Sequence, residues 1–293
     1  MPVQTEIQSA FEDKNKALLQ ECIHCGFCLP ACPTYTLNGN EADSPRGRLY
    51  LMEAFSQGKL DATESLHRHL DLCLVCRACE TACPAGVRYG ALLEQGRAVV
   101  AQAGLRTGLA HRVEGLALRH ILVHKGRLRF LVSLLAWVQR LGLDRLAAPF
   151  LPRGLARASR FLPVIPPAAH RQRLPSFTPG KSPRRGRVAF LEGCVMPELF
   201  GRVNRASVRV LAANGFDVWV PGDQTCCGAL HLHAGDLASA QGLAEQNRVA
   251  FDEEQNEKYG VPPKTVDFLR KMLALDCRQR PDFELAMGDP YFA

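Results

Sequence analysis

Apolar residues recur at helical spacing along most of the first half of the chain. The pattern predicts four helical stretches: residues 1–20, 44–58, 64–76 and 89–150. Ser44 is a suitable N-cap for the second stretch, and Pro45 suits its first turn. Six prolines then interrupt residues 162–187, which predicts a linker.

Beyond the linker the pattern changes to short apolar strands that alternate with amphipathic helices. We expect strands at Val188–Leu191 and at 216–221, and helices at 198–214 and 236–251. The stretch "DQTCCGALHLHAG", residues 223–235, is predicted to be a loop. Strand, helix, strand and helix in this order favour a small α/β layer with a parallel strand pair.

Length and composition describe an ordinary soluble chain with an unusual number of cysteines. It has 293 residues, room for about two domains, and 47% are hydrophobic. The amino terminus shows no secretory signal, and the longest apolar run, Phe130–Val138, is shorter than the ~20 residues that span a bilayer. We therefore expect a cytoplasmic protein, soluble or peripheral on the inner face of the membrane. Twelve cysteines in that reducing compartment indicate metal or redox chemistry rather than disulfides.

Positive charge is concentrated in the middle of the chain. Residues 106–187 contain 17 Lys and Arg against two acids, a net charge of +15, whereas the whole chain carries +7. Such a segment suits anionic lipid, an acidic partner or a solvated surface; no helix-turn-helix or stacking-aromatic pattern supports nucleic acid. Within it, the apolar stretch 130–143 has basic flanks, and its partner is a membrane surface, another subunit or this protein's own core.

Two cysteine runs share one spacing. The first is Cys22, Cys25, Cys28 and Cys32, and the second, 51 residues later, is Cys73, Cys76, Cys79 and Cys83. Proline follows the last cysteine of each run. This spacing is typical of 4Fe-4S clusters, whereas structural zinc sites usually pair two Cys-x-x-Cys units across a longer gap. A zinc-bound assembly module is the alternative.

The fourth cysteine of each run is expected to ligate the cluster of the other run, as in two-cluster ferredoxins. The first cluster set is then Cys22, Cys25, Cys28 and Cys83, and the second cluster set is Cys73, Cys76, Cys79 and Cys32. Gly26 and Ala78 are expected to occupy matching positions where backbone approaches sulfur. Arg46 and Arg48 lie between the runs, where they either offset the clusters' negative charge or face solvent.

Three later cysteines form a separate candidate site. Cys194 ends the first predicted strand, and the Cys226–Cys227 pair follows the second. Gly228 relieves backbone crowding, so that both sulfurs of the pair can face one centre. They are candidates for an additional metal or redox centre, or else reduced buried thiols. His231 and His233 lie nearby in the sequence, as ligands or as packing residues.

The segments "CIHCGFCLPACPTYTLNGNEADSPRGRLYL", "HLDLCLVCRACETACPAGVRYGALLEQGR" and "LEGCVMPELFGRVNRASVRVLAANGFDVWVPGDQTCCGALHLHAG" resemble the iron–sulfur subunit of bacterial glycolate oxidase. The resemblance implies an α-helical ferredoxin domain with two 4Fe-4S clusters, followed by one partial α/β cysteine-rich domain of the CCG type. It also implies FAD-binding partner subunits that oxidise glycolate to glyoxylate. This chain would then hold no catalytic residue and no FAD, and would pass electrons from reduced FAD toward a membrane quinone.

The expected organisation combines these observations. It comprises a ferredoxin domain at 1–105, a basic helical segment at 106–160, a Pro-rich linker at 161–186, a CCG domain at 187–252 and an atypical tail at 253–293. Similar iron–sulfur chains serve anaerobic glycerol-3-phosphate, lactate and heterodisulfide-reductase complexes, so the electron donor stays open.

Overall fold

The computed structural model describes residues 2–106, 108–150, 152, 154, 156, 159 and 161–251. Most of these residues are helical, as the periodicity predicts. The helices are α1 (Pro2–Gln20), α2 (Pro33–Asn38), α3 (Pro45–Ser56), α4 (Glu64–Asp71), α5 (Ala78–Thr81), α6 (Tyr89–Gln102), α7 (Leu109–Ala117), α8 (Lys125–Arg140), α9 (Leu143–Ala147), α10 (Met196–Leu199), α11 (Gly201–Ala213), α12 (Ala229–His233) and α13 (Leu237–Ala250). The predicted tail at 253–293 lies outside the described residues.

The chain folds into two compact units, and the first unit includes a short segment from the second half of the chain. The first unit contains the chain up to Gly115 together with Gly228–Ala240, and the second contains Leu116–Cys227 and the chain from Gln241. Neither unit is therefore a single continuous stretch of sequence.

The first unit packs α1, α3 and α4 around α6. Leu92 and Leu93 of α6 are fully buried, and Phe55 of α3 meets Phe11 of α1 edge-on. The helix α3 begins as predicted, because the Ser44 hydroxyl accepts a hydrogen bond from the Gly47 N–H at 2.8 Å. This core fixes the ends of the helices that flank both cysteine runs.

The second unit contains a three-stranded sheet in the order β1–β3–β2. The strands are β1 (Phe177–Thr178), β2 (Gly186–Ala189) and β3 (Phe216–Trp219). The strands β2 and β3 run parallel with α11 between them in the chain, which confirms the predicted parallel pair. Val208 of α11 packs on Val218 and Val220.

Two details of the second half differ from the prediction. The Pro-rich linker contributes β1, which lies between Pro175 and Pro179 in the sequence. The strand β1 pairs antiparallel with β3. Proline is tolerated at the ends of such a short edge strand. The predicted loop at 223–235 contains the helical turn α12, which Gly228 begins in the left-handed region at φ 80°.

None of the helices described is both long enough and apolar enough to cross a membrane.

Candidate metal centres

The two cysteine loops have positive φ angles at matching positions. His24 and Gly26 in the first loop, and Val75 and Arg77 in the second, all have positive φ, between 54° and 85°. Side chains rarely adopt this region, and a β-branched valine there is strained. Alternating left-handed residues turn backbone N–H groups into a concave nest that favours an anion.

The structure corrects one sequence-based expectation about these loops. Gly26 corresponds to Arg77 at a separation of 51 residues, and both have positive φ. Ala78 instead begins α5. The backbone geometry, rather than a small side chain, is what the two loops share.

Each predicted cluster set lines a cavity of its own. The first cavity, of about 420 Å³, is lined by Cys22, Cys25, Cys28 and Cys83. The second cavity, of about 290 Å³, is lined by Cys32, Cys73, Cys76 and Cys79. Cys79 also lines the first cavity. The fourth cysteine of each run thus lies with the first three of the other run, and the ligand assignment stays a prediction that this arrangement supports.

Helix starts direct backbone N–H groups at two of these sulfurs. Burial raises the pKa of the Cys28 thiol. A hydrogen bond from the backbone N–H of Arg46, in the first turn of α3, lowers that pKa by less. Burial would also raise the pKa of Cys32. Hydrogen bonds from the Thr34 side chain and from the N–H groups of Tyr35 and Thr34 outweigh it and lower that pKa. At both sulfurs the hydrogen bonds at a helix start favour the thiolate, but only at Cys32 do they outweigh burial.

The Cys79 thiol ionises at physiological pH only if a bound cation stabilises its thiolate. Burial raises the pKa of its thiol to about 12, with further contributions from Glu80 and the neighbouring cysteines. Such a thiol is neutral at physiological pH unless a cation lies beside it, and a coordinated metal ion deprotonates thiols outright. Eight thiols close together, of which Cys32 and Cys79 are buried, therefore fit a metal cluster.

Arg48 is completely buried beside the second cavity and lines it. Its Nε donates a hydrogen bond to the His69 carbonyl at 2.6 Å, and its second terminal nitrogen donates to the Thr34 hydroxyl at 3.1 Å. Its first terminal nitrogen, NH1, is buried without a hydrogen-bond partner among the described residues. A buried cation with a spare donor fits a negatively charged, thiolate-ligated cluster. The solvent-facing alternative for Arg48 is therefore wrong.

Arg46 lines the first cavity from a more exposed position. Its Nε donates to Glu41 Oε1 at 2.7 Å, and its terminal NH1 donates to the His24 carbonyl at 3.2 Å. Solvent and the exposed ion pair with Glu41 both screen its charge. Its main local role is to hold the first cysteine loop.

Sequence reasoning missed Tyr89. This buried first residue of α6 lines both cavities, and its hydroxyl donates to Cys73 Sγ at 3.6 Å. Its place six residues after Cys83, in "CPAGVRY", was the only available signal. Tyr89 adds a neutral donor at the second cluster set, where Arg48 already supplies a charged one.

Arg97 was missed as well. Its guanidinium on α6 donates to the carbonyls of Leu70, Asp71 and Cys73 at 2.7–3.2 Å. It also donates to the His233 carbonyl of α12 at 2.9 Å. One side chain thus joins the end of α4, the start of the second cysteine run and the segment Gly228–Ala240.

The structure also brings together part of the third candidate site. A hydrogen bond with the Cys226 side chain lowers the pKa of Cys194 to about 7. Asn247 holds the paired-cysteine loop, because its amide donates to the Cys226 carbonyl at 2.8 Å and accepts from the Thr225 N–H at 2.9 Å. Cys227 is half-buried and lies near enough to affect Cys194 electrostatically. An additional centre at these three cysteines stays a prediction.

Another group of ligand types occurs in the first unit. Ligand atoms of His67, Asp71 and His111 lie within 4.8 Å of one another. A terminal nitrogen of Arg106 lies 3.3 Å from His111 Nδ1. This guanidinium would repel a metal ion, so we assign none to this group.

Comparisons with known proteins identify both cysteine-bearing regions. Residues 18–87 match the family described as 4Fe-4S dicluster domain, and residues 188–260 match the family described as cysteine-rich domain. These matches confirm the predicted fold class. No solved structure matches the chain.

Curated relatives extend the similarity over most of the chain. A probable glycolate oxidase iron-sulfur subunit from Bacillus subtilis is 40% identical over 84% of this chain and 57% of that protein. The glycolate oxidase iron-sulfur subunit of Escherichia coli is 36% identical over 83% of this chain and 55% of its own length. A fumarate reductase (CoM/CoB) subunit from Methanothermobacter marburgensis is 24% identical over 83% of this chain and 41% of its own length.

The chain spans little more than half the length of the glycolate oxidase relatives that it matches. Over that span it resembles them through both cysteine-bearing regions. The chain therefore has a 4Fe-4S dicluster domain followed by a cysteine-rich domain, and over this span it is similar to glycolate oxidase iron–sulfur subunits.

Proposed function

We propose that this chain is the electron-transfer subunit of a flavin-dependent glycolate oxidase or dehydrogenase. In this proposal it receives electrons from FAD on partner subunits during glycolate oxidation to glyoxylate and passes them toward a membrane quinone. The substrate and the flavin lie on the partners, and this chain contributes no catalytic residue. The homology to glycolate oxidase subunits supports the choice of donor.

The observation that carries the proposal is the pair of neighbouring cysteine-lined cavities. Each is lined by the four cysteines of one predicted cluster set, and both are also lined by Pro45, Cys79 and Tyr89. When bound, 4Fe-4S clusters supply one-electron oxidation and reduction. Because the two cavities share lining residues, centres bound in them would lie side by side, as electron transfer between them requires.

The other residues of the site prepare it for that role. The nests of the two loops direct N–H groups at the sulfurs, as the Val75 N–H does to Cys73 Sγ at 3.5 Å. Arg48 and Tyr89 add side-chain donors at the second cluster set. Hydrogen bonds and burial around the sulfurs set reduction potentials, so these groups tune the pair of centres.

The first test is the metal content of the full chain, purified without oxygen. Two 4Fe-4S clusters require about eight irons and as many acid-labile sulfides per chain. The reduced protein should give an EPR spectrum of two interacting spins. About four further irons would indicate a centre at Cys194, Cys226 and Cys227. Stoichiometric zinc without iron or visible absorption would overturn the proposal in favour of an assembly module.

The second test concerns the donor. The chain is purified with co-expressed FAD-binding subunits and mixed anaerobically with glycolate, lactate or glycerol-3-phosphate. Bleaching of the cluster absorbance by glycolate, faster than by the other two, is expected. Bleaching by lactate or glycerol-3-phosphate alone would keep electron transfer and reject glycolate as the donor's substrate.

A further inference from the structure

The helix α8 presents an apolar face to solvent. Five large apolar side chains on α8 and at its C-cap are exposed: Phe130, Leu131, Leu134, Trp137 and Leu141. All of them except Leu131 are spaced three or four residues apart. This spacing places them on one side of the helix. Phe130 is 69% exposed and Trp137 57%, values unusual for side chains of this size in a soluble protein.

The opposite side of α8 is the one that packs on the protein. Ala136 is buried there, and Gln139 is hydrogen-bonded to the chain at both Pro163 and Ile165. The expectation left open by the sequence, that the apolar residues of this stretch form the protein's own core, therefore fails for the exposed five among the described residues. None of the described residues covers these side chains, which leaves the face open to a partner.

The charges around the exposed face select that partner. The helix has no acidic residue, and exposed arginines lie at both of its ends, Arg127 and Arg140. Arg145 of α9 is also exposed. Residues 106–187 as a whole carry a net charge of +15. An apolar face with basic ends is typical of helices that lie in the interface of an anionic bilayer.

The chain after α8 continues the same surface chemistry. Leu146, Phe150, Phe161 and Val164 are all exposed, and Val164 lies between the two residues that bind Gln139. Trp137 has the amphipathic ring that prefers the boundary between lipid and water. These residues enlarge the apolar surface beside the basic one.

We propose that α8 docks this protein on an anionic membrane surface, with its apolar face in the headgroup region and Arg127 and Arg140 on lipid phosphates. The docking is peripheral. The proposal rests on α8 alone, and it would bring the protein to the membrane whichever donor reduces it.

The test is sedimentation of the cluster-loaded full chain with vesicles. Vesicles of phosphatidylcholine mixed with phosphatidylglycerol should bind the protein, and vesicles of phosphatidylcholine alone should bind it weakly. Salt should weaken the anionic binding, because it screens exposed charges. Leu134→Glu should reduce partition roughly tenfold or more, since a buried leucine side chain contributes at least that factor.

Matched controls come from α11. Val210 is exposed there, so Val210→Glu makes the same chemical change away from α8 and should leave binding unchanged. Arg140→Gln should weaken anionic binding, whereas Arg209→Gln on α11 should not. Visible absorbance of each variant reports whether the clusters and the fold around them are retained.

A second readout needs no variant. The chain has two tryptophans, of which Trp137 is exposed and Trp219 is only 2% exposed. Brominated lipids should quench Trp137 on anionic vesicles, and Trp137→Phe should abolish that quenching. Equal loss of binding in Leu134→Glu and Val210→Glu, or no quenching of the native protein, would overturn the proposal.

Two further outcomes would assign the face to a protein instead. If the native chain is a dimer and Leu134→Glu a monomer, the face joins two copies. If Leu134→Glu blocks assembly with the FAD-binding subunits and leaves vesicle binding intact, the face belongs to that partner. Either result rejects membrane docking. Iron content and glycolate-dependent bleaching test the electron-transfer role separately.

Discussion

Arg46 and Arg48 lie two residues apart at the start of α3, and they meet the two cysteine-lined cavities in different ways. Arg46 is 30% exposed, lines the first cavity and is paired with Glu41 at 2.7 Å. Arg48 is fully buried, lines the second cavity, lies 3.8 Å from Asp43 Oδ1 and retains an NH1 without a hydrogen-bond partner among the described residues. Tyr89 adds a hydroxyl donor to Cys73 of the second set.

This difference teaches that equal cysteine spacing does not give equal centres. The two loops have positive φ angles at matching positions, but the second has a buried cation and an extra side-chain donor. Both stabilise the more negative, reduced form of a cluster. We therefore expect the second cluster set to hold the centre of higher reduction potential, so that electrons collect there.

The largest effects should come from replacing the fourth cysteine of either run with serine. Cys83→Ser, although in the second run, should remove the centre of the first cluster set and leave about four irons per chain. Cys32→Ser should do the reverse. Iron analysis and EPR of the reduced proteins measure both.

Cys25→Ser and Cys76→Ser identify which signal belongs to which loop, because these cysteines lie within the first three of each run. If Cys32→Ser matched Cys25→Ser in the signal that it loses, the crossed ligand sets would be wrong.

The next largest effect should come from Arg48. Arg48→Gln should lower the potential of the second centre by about 60 mV or more, because a hydrogen bond to a charged group contributes ~1.5–3 kcal/mol and a one-electron tenfold change is ~59 mV. Arg46→Gln should shift the first centre much less, since the charge of Arg46 is exposed to solvent and therefore screened. EPR-monitored redox titration gives both values.

Arg48→Lys keeps the charge and should retain most of the potential, which separates electrostatics from loss of packing. Equal shifts for Arg46→Gln and Arg48→Gln would remove the asymmetry between the cavities.

A smaller shift is expected from Tyr89→Phe. A neutral hydrogen bond contributes ~1 kcal/mol, so the potential of the second centre should fall by about 40 mV. Tyr50→Phe, on the exposed side of α3, is the matched control and should change neither centre. A shift of the first centre alone would show that the Tyr89 hydroxyl serves the other cavity.

The smallest effects should come from the shared backbone. Gly26→Ala places a Cβ at φ 85° and 3.1 Å from the Arg46 guanidinium, so it should destabilise the first loop by about 1 kcal/mol. Arg77→Gly removes the same kind of strain and loses an exposed ion pair with Glu80, so the net change should be within ~0.5 kcal/mol. Cluster loss under a chelator, followed by visible absorbance, compares them. Faster loss for Arg77→Gly than for Gly26→Ala would show that the loops are not equivalent.

The sequence predicted the parts of this molecule that local chemistry determines. Ser44 caps α3 as its residue type suggests, and the cysteine spacing anticipated which sulfurs line each cavity. The burial of Arg48 could not be predicted in this way, because it depends on the His69 carbonyl 21 residues away. Tyr89 and Arg97 were missed for the same reason.

Local signals also failed where a long-range contact decided the structure. The sequence of the Pro-rich linker predicts irregular structure. Phe177–Thr178 forms a strand because it pairs with Trp219 and Val218. The apolar face of α8 reads equally as core or surface from periodicity, and the structure assigns it to the surface.

The inclusion of Gly228–Ala240 in the first unit has a consequence for folding during synthesis. Arg97 donates to the His233 carbonyl, and a Cβ on Gly235 would lie 2.6 Å from the Arg97 carbonyl, so this segment fits closely against α6. On the ribosome, the cysteine loops emerge well before this segment does. The first unit therefore completes its fold only after Leu116–Cys227 of the second unit has been synthesised. We expect a fragment ending at residue 115 to hold its iron less stably than the full chain does.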